Sequence, residues 1–231
     1  MSAASIGSGK AGGYARYLEG KTVTPQRGDY YLRPDGSVTE APGRWLSGAE
    51  TLEELGVSGA GPLGGPAFVA VMEGRHPQTG RWLRRAGADG TRGGGIDVTF
   101  SAPKPVSVVW ALSDGWQREQ LEAAHERAVQ RAVEYMRENL SLVRRRYGAG
   151  VVEEPARDVV AAGFLHTTAR GVEGAAAPDP QLHTHVVIAG AVREDGRYGG
   201  SLPADVPSGA GGRRVLPFGA RGGAEGGGLR D

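Results

Sequence analysis

Three histidines and one acid are the residues of this chain best suited to chemistry. In "QLHTHVVIAG", His183 and His185 stand one residue apart at the start of an apolar run. Strand side chains alternate, so residues i and i+2 share a face about 7 Å apart. That is the spacing of two ligands on one cation. His166, in the preceding apolar segment "DVVAAGFLHTT", is the third candidate, because a hairpin of the two segments would bring it alongside the pair. Three neutral imidazoles without a fourth protein ligand leave coordination positions open, as a catalytic metal site needs. The plainer alternative is a set of histidines with no ligand role, and the His-x-His spacing alone does not decide. His76 and His125 are expected at the surface, His125 in mid-helix among charges.

Asp97 lies inside the apolar stretch "GIDVTFS", where an unpaired carboxylate is costly. It could bond a turn at the strand end, orient an imidazole, or accept a proton from a nucleophile. Tyrosines gather near the N-terminus at Tyr14, Tyr17, Tyr30 and Tyr31. They could pack a core edge, or supply a hydroxyl that attacks phosphorus when a metal polarises the phosphate. No rule of spacing picks one of them.

These side chains need a scaffold, and the pattern supplies an α+β one. "AETLEELG" and "PAFVAVMEG" read as short helices, and residues 95–101 as a strand interrupted by Pro103 and Pro105. Residues 106–112 suit either a strand or a helix. Residues 115–147 read as the longest helix, with Leu121, Ala124, Ala128, Val129, Ala132, Val133 and Met136 at helical spacing. Two β segments holding the histidines follow, then a turn at "REDGRY". Helices beside a β-hairpin imply an antiparallel sheet flanked by helices.

Composition sets outer bounds. Lys and Arg (27) nearly balance Asp and Glu (26), so total charge neither announces nor excludes a nucleic acid. Cys is absent, which excludes disulfides and thiolate metal sites. With no long apolar run, a soluble cytoplasmic protein without a membrane segment is expected. There is no GxxxxGK[ST] motif, and so no sign of a nucleotide-driven motor.

"GIDVTFSAPKPVSVVWAL" and "FLHTT…DPQLHTHVVI", preceded by "RYLEG" and "GDYYLRPDG…WLSG", resemble the relaxase domain of TrwC/TraI-type (MobF) conjugative relaxases, from about residue 5 to residue 198. These are HUH-type endonucleases, and the fold implied is a relaxase palm. The resemblance implies site-specific nicking and rejoining of one DNA strand at a plasmid transfer origin. It implies a tyrosine attacking the phosphodiester, and a divalent ion (Mg²⁺ or Mn²⁺ by resemblance, Zn²⁺ by ligand chemistry) on His166, His183 and His185. By motif position Tyr17 is the first nucleophile and Tyr30, with Tyr31 beside it, belongs to the second tyrosine set. Asp97 is then proton acceptor or histidine orienter. The implied partners are single-stranded and hairpin DNA, and other relaxosome proteins. Candidate DNA contacts are Tyr31, Arg84, Arg85, Lys104, Arg144, Arg145 and Arg146.

The chain departs from this pattern in three places. Pro105 replaces the family's serine, which is expected to disturb the strand exit beside Asp97. The strand before the tyrosines has the weak pattern "SAASIGSGKAGG". Past residue 198 the chain becomes glycine-rich, so 1–198 reads as a relaxase domain incomplete at its C-terminal end. Residues 199–231 read as a disordered or out-of-frame tail. Codons exist for "RVLPFGARGGAE" that, read one base later, encode "AYYRSALAEEL". Two other functions fit the same residues: an inactive DNA-binding remnant, and a three-histidine hydrolase of a small substrate.

Overall fold

The structure is a computed structural model, and it describes residues 1–7, 10, 13–14, 18, 42–63, 65–85, 93–139, 141–147, 150–169, 179–199 and 201–203. Tyr17, Tyr30, Tyr31 and residues 204–231 lie outside these. The principal sheet holds β1 (Ser2–Ile6), β2 (Arg44–Trp45), β3 (Gly95–Ser101), β6 (Asp158–Thr168) and β7 (Pro180–Val192), in the order β1-β3-β7-β6-β2. β8 (Tyr198–Gly199) pairs with the end of β7. All these pairings are antiparallel. A second sheet is built from β4 (Ser141–Tyr147), β5 (Gly150–Pro155) and β9 (Ser201–Pro203). β9 lies past position 198, so ordered structure continues into the start of the glycine-rich stretch.

Alternation along the central strands divides the apolar residues between two cores. On one face Val160, Ala162, Phe164, Val187 and Ala189 meet α1 (Ala49–Leu55) and α2 (Gly65–Met72) through Leu52, Leu55, Phe68 and Met72. Phe68 holds this layer together, with its ring centroid 5.1 Å from Phe164 and 6.2 Å from Trp45. On the other face Ile96, Val98, Val159, Ala161, Val186 and Ile188 pack on Val129, Val133 and Met136 of α4 (Gly115–Asn139). Those three residues form an i, i+4, i+7 stripe, the narrow apolar face of an otherwise charged helix. A bulge between Val160 and Ala161 shifts the register against β7. Beyond it β7 changes parity, and Ala191 and Val192 keep to opposite cores.

Gly56, at φ 64°, closes α1, and its N–H meets the Glu53 carbonyl at 2.9 Å. Glycine is favoured there because other residues are strained in the left-handed region. Gly196 has the same role in the turn after β7, at φ 72°. The 106–112 alternative resolves as helix, within α3 (Lys104–Leu112). Pro103 is its N-cap and Pro105 lies in its first turn. A proline costs no hydrogen bond there, because first-turn N–H groups have no helical partner. β3 still runs unbroken through Ser101, so Pro105 does not disturb the exit beside Asp97.

Two expectations are corrected. The long helix ends at Asn139, and 141–147 is strand β4, paired with both β5 and β9. Val143 is fully buried in the second core, β5 pairs Leu142–Tyr147 and β9 pairs Ser141–Val143, so tertiary pairing overrides the helical reading. The N-terminal strand, weak by pattern, is formed. Backbone pairing of Ser2–Ile6 with Gly95–Thr99 carries it, and only Ile6 of β1 is buried.

Candidate metal centre

The β6–β7 hairpin delivers the three histidines. His166 is the cross-strand partner of His183, and Phe164 is that of His185, so all three imidazoles share the face of the first core. Their ring centroids are 5.4 Å (His166–His183), 4.9 Å (His166–His185) and 5.1 Å (His183–His185) apart. One ring nitrogen from each lies within 4.8 Å of the others. A tetrahedral cation with Zn–N bonds of about 2.1 Å needs donors about 3.4 Å apart, which small ring rotations would reach. Donor type and spacing both fit a divalent ion.

Protonation favours ligation. Burial pushes the His166 imidazole down to about 4, and the neighbouring His185 lowers it further against the opposing bond to the Leu18 carbonyl. Burial also lowers His183. Both are therefore neutral at pH 7, with lone pairs available. Backbone and carboxylate partners fix the rings. His183 Nδ1 lies 2.9 Å from the Gln181 carbonyl oxygen, and His166 Nε2 lies 3.2 Å from that of Leu18.

Asp97 comes from β3, where it is the partner of Val187. Its Oδ2 lies 2.7 Å from His185 Nδ1, the arrangement by which a carboxylate sets the tautomer of a ligand imidazole. Thr99 Oγ1 stands 3.3 Å from the same nitrogen. The Tyr14 hydroxyl donates to Asp97 Oδ2 as well. Asp97 Oδ1 is buried without a hydrogen-bond partner, an open acceptor at the edge of the cluster. Tyr14, Thr99 and the Leu18 carbonyl were not separable in the sequence. Tyr14 belonged to a cluster of equivalent candidates, and the other two act through positions that only the sheet brings together.

The remaining candidates are scattered. The Lys104 ammonium donates to Asp179 Oδ2 at 3.0 Å and to the Pro180 carbonyl at 3.2 Å, beside the end of β7 that carries His183. Arg84 is half-buried and donates to the Gly94 carbonyl at 3.1 Å. It lines a small space with Gly190 and Tyr198, at the far end of β7. This is about 16 Å along the strand from His185 at the usual rise. Arg85 is exposed, and Arg144, Arg145 and Arg146 lie in β4 of the second sheet. His125, expected in solvent, is half-buried, and its Nε2 lies 3.0 Å from Thr184 Oγ1 on the opposite face of β7. Burial lowers its pKa. His76 lies 2.9 Å from the Glu54 carbonyl oxygen and braces a loop.

This arrangement has relatives. The profile of the TrwC relaxase family matches residues 11–205. The chain belongs to the TrwC relaxase family. The multifunctional conjugation protein TraI of Escherichia coli is 34% identical over 176 residues, which is 74% of this chain and 9% of that protein. TraI of strain K12 is 33% identical over the same length. A metal-bound structure of the conjugative relaxase TrwC with OriT DNA superposes with a TM-score of 0.62 at 28% identity, covering 86% of this chain and 60% of that one. TrwC with a 27-mer of recognition hairpin and cleavage site gives 0.61 at 25% identity, covering 86% of this chain and 59% of that one. The chain thus spans a small part of the curated TraI proteins and about three-fifths of the solved TrwC chains. The antiparallel sheet, with the four helices α1–α4 among the described residues, matches the TrwC relaxase fold. No helix among the described residues is long and apolar enough to cross a membrane.

Proposed function

We propose that this chain nicks and rejoins one DNA strand at a transfer origin, as a cytoplasmic enzyme of conjugative transfer. One observation carries the reading: three buried or half-buried imidazoles converge, with Asp97 bound to one of them, in a chain of the TrwC relaxase family. His166, His183 and His185 would hold a divalent ion. When bound, such an ion polarises a phosphodiester and offsets the charge that develops on it.

The chain's own residues supply the rest. The Asp97 carboxylate fixes His185, and its unpartnered oxygen can take a proton from an attacking hydroxyl. Tyrosine is the nucleophile type that this setting suits, and motif position assigns the role to Tyr17, with Tyr30 in strand transfer. A covalent phosphotyrosine conserves the energy of the broken bond, so rejoining needs no nucleotide. Mn²⁺ or Mg²⁺ is our assignment for the ion in the cell, with Zn²⁺ the alternative by ligand chemistry. The partner is single-stranded DNA with its hairpin, and Lys104, at the end of β7 that carries His183, is among the described residues the basic candidate best placed to meet it.

The test is a denaturing gel of the protein with single-stranded oligonucleotides and Mn²⁺. A covalent protein–DNA adduct that EDTA prevents is the expected result. Metal-dependent turnover of a small phosphodiester with no adduct would replace this reading with a hydrolase.

A further inference from the structure

Of the three imidazoles, His183 has among the described residues no ring partner outside its own strand. His185 is held by Asp97 of β3, and His166 by the distant Leu18 carbonyl. The His183 ring bonds only the Gln181 carbonyl, two residues earlier on β7. Backbone pairing also gives out at this point. Ser101, which faces His183, is the last residue of β3. On the other side the β6–β7 register slips just past the His166–His183 pair. Such a slip interrupts the ladder and lets a strand bend.

The helices behind the sheet take hold of β7 on either side of His183. The fully buried Ser107 hydroxyl of α3 accepts the Leu182 N–H at 3.0 Å, and the Ala102 N–H donates to the Leu182 carbonyl at 2.9 Å. His125 Nε2 of α4 lies 3.0 Å from Thr184 Oγ1. Thr184 is 5% exposed, so its hydroxyl depends on a protein partner. His125 stands four residues before Val129 and extends the buried stripe of α4 by one turn. Burial, helped by His183 and Arg44, lowers its pKa, so a neutral ring meets the hydroxyl at pH 7.

We propose that His125 is a positioning residue for the metal centre, acting through Thr184 to fix the strand between His183 and His185. The inference rests on the metal reading above and adds to it a residue from the opposite face of the sheet. Strand alternation points Thr184 away from the two imidazoles, so His125 never approaches the ion. What it sets is the path of the backbone that carries both ligands. A shift of Thr184 moves its two neighbours together, and ligand positions must hold to within about 0.5 Å.

The probe is Co²⁺ titrated into the full chain, because its visible absorption reports both occupancy and ligand geometry. His125→Leu is expected to bind about tenfold more weakly than wild type, with altered bands. Thr184→Val, which removes the hydroxyl at nearly constant shape, should do the same. The double variant should be no weaker than either single one. His125→Gln, whose side-chain amide can reach the same hydroxyl, should recover most of the affinity. Val133→Ala, two turns along the same stripe, should lower the urea midpoint and leave Co²⁺ affinity at the wild-type value, which separates positioning from loss of stability. Wild-type affinity and bands in both His125→Leu and Thr184→Val overturn this assignment and leave the metal reading standing. Additive losses in the double variant overturn it as well. No Co²⁺ binding by the wild type overturns both. Thr184→Val decides the matter even if His125→Leu does not fold.

Discussion

Acid should destabilise the metal-free protein through His166, by an amount the site itself sets. The imidazole is 7% exposed and held down to about 4, against about 6.5 in an unfolded chain. Between those two values the unfolded state binds the proton and the folded state does not. Stability is therefore fully present above pH 6.5, and it is lost as pH falls towards 4. Going from pH 7 to pH 4.5 this one group removes about 2.5 kcal/mol, using about 1.36 kcal/mol per pKa unit. Urea unfolding in EDTA at both pH values measures the total loss, which also contains the carboxylates. His166→Gln removes the titrating group and keeps a donor for the Leu18 carbonyl. The loss between the two pH values should be smaller in the variant by about 2 kcal/mol, whatever its absolute stability. Equal losses in the two proteins would refute the idea that burial governs this imidazole.

Other expectations concern ligation and packing. Asp97→Asn, which keeps the shape but not the charge facing His185, should weaken Mn²⁺ or Zn²⁺ binding by about 10–100-fold in a calorimetric titration. Asp158 is 4% exposed, accepts from Arg137 Nε at 2.6 Å and takes the Gly48 and Val159 N–H groups at 2.8 Å each. Asp158→Ala should therefore cost about 3 kcal/mol by denaturant melt, since it strands a partly buried cation, the buried Val159 amide and the part-buried Gly48 amide. Phe164→Ala, which empties the contact with Phe68, should cost about 3–5 kcal/mol in the same assay. Pro105→Ser should lower stability by less than about 1 kcal/mol, because the first turn of α3 accepts either residue.

The histidine hairpin was legible because its signal is local. Two apolar, β-branched segments separated by the loop "GVEGAAAPDP" agree with it, and His183 with His185 needs nothing beyond strand geometry. The strand carrying Asp97 was legible for the same reason, over the same seven residues, Gly95–Ser101. β4 was not, because "SLVRRRY" follows a strong helical pattern without a glycine or proline, and only pairing with β5 and β9 makes it a strand. His125 escaped because its neighbours in sequence are charged while its neighbour in space is Thr184. Tyr14 and Asp97 meet across 83 positions, a contact that no local pattern encodes. Prolines 103 and 105 read as interruptions, and that was correct for the strand; that they also start a helix depends on the residues after them.

All three imidazoles sit on two strands joined through residues 169–179, whereas Asp97 arrives from β3 and Tyr14 from the far N-terminus. The ligand set is thus nearly self-contained in sequence, and closing that one loop costs little chain entropy compared with completing the sheet. A metal can therefore seize the hairpin while the edge strands are still unformed. Any grip on the partly folded chain subtracts from the gain in melting temperature that metal gives the finished protein. Under the proposed metal reading, thermal shifts should understate the affinity of the native centre for a divalent ion. Refolding, by contrast, should quicken when the ion is present from the start, because it fixes early the pairing of His166 with His183 on which the remaining strands assemble.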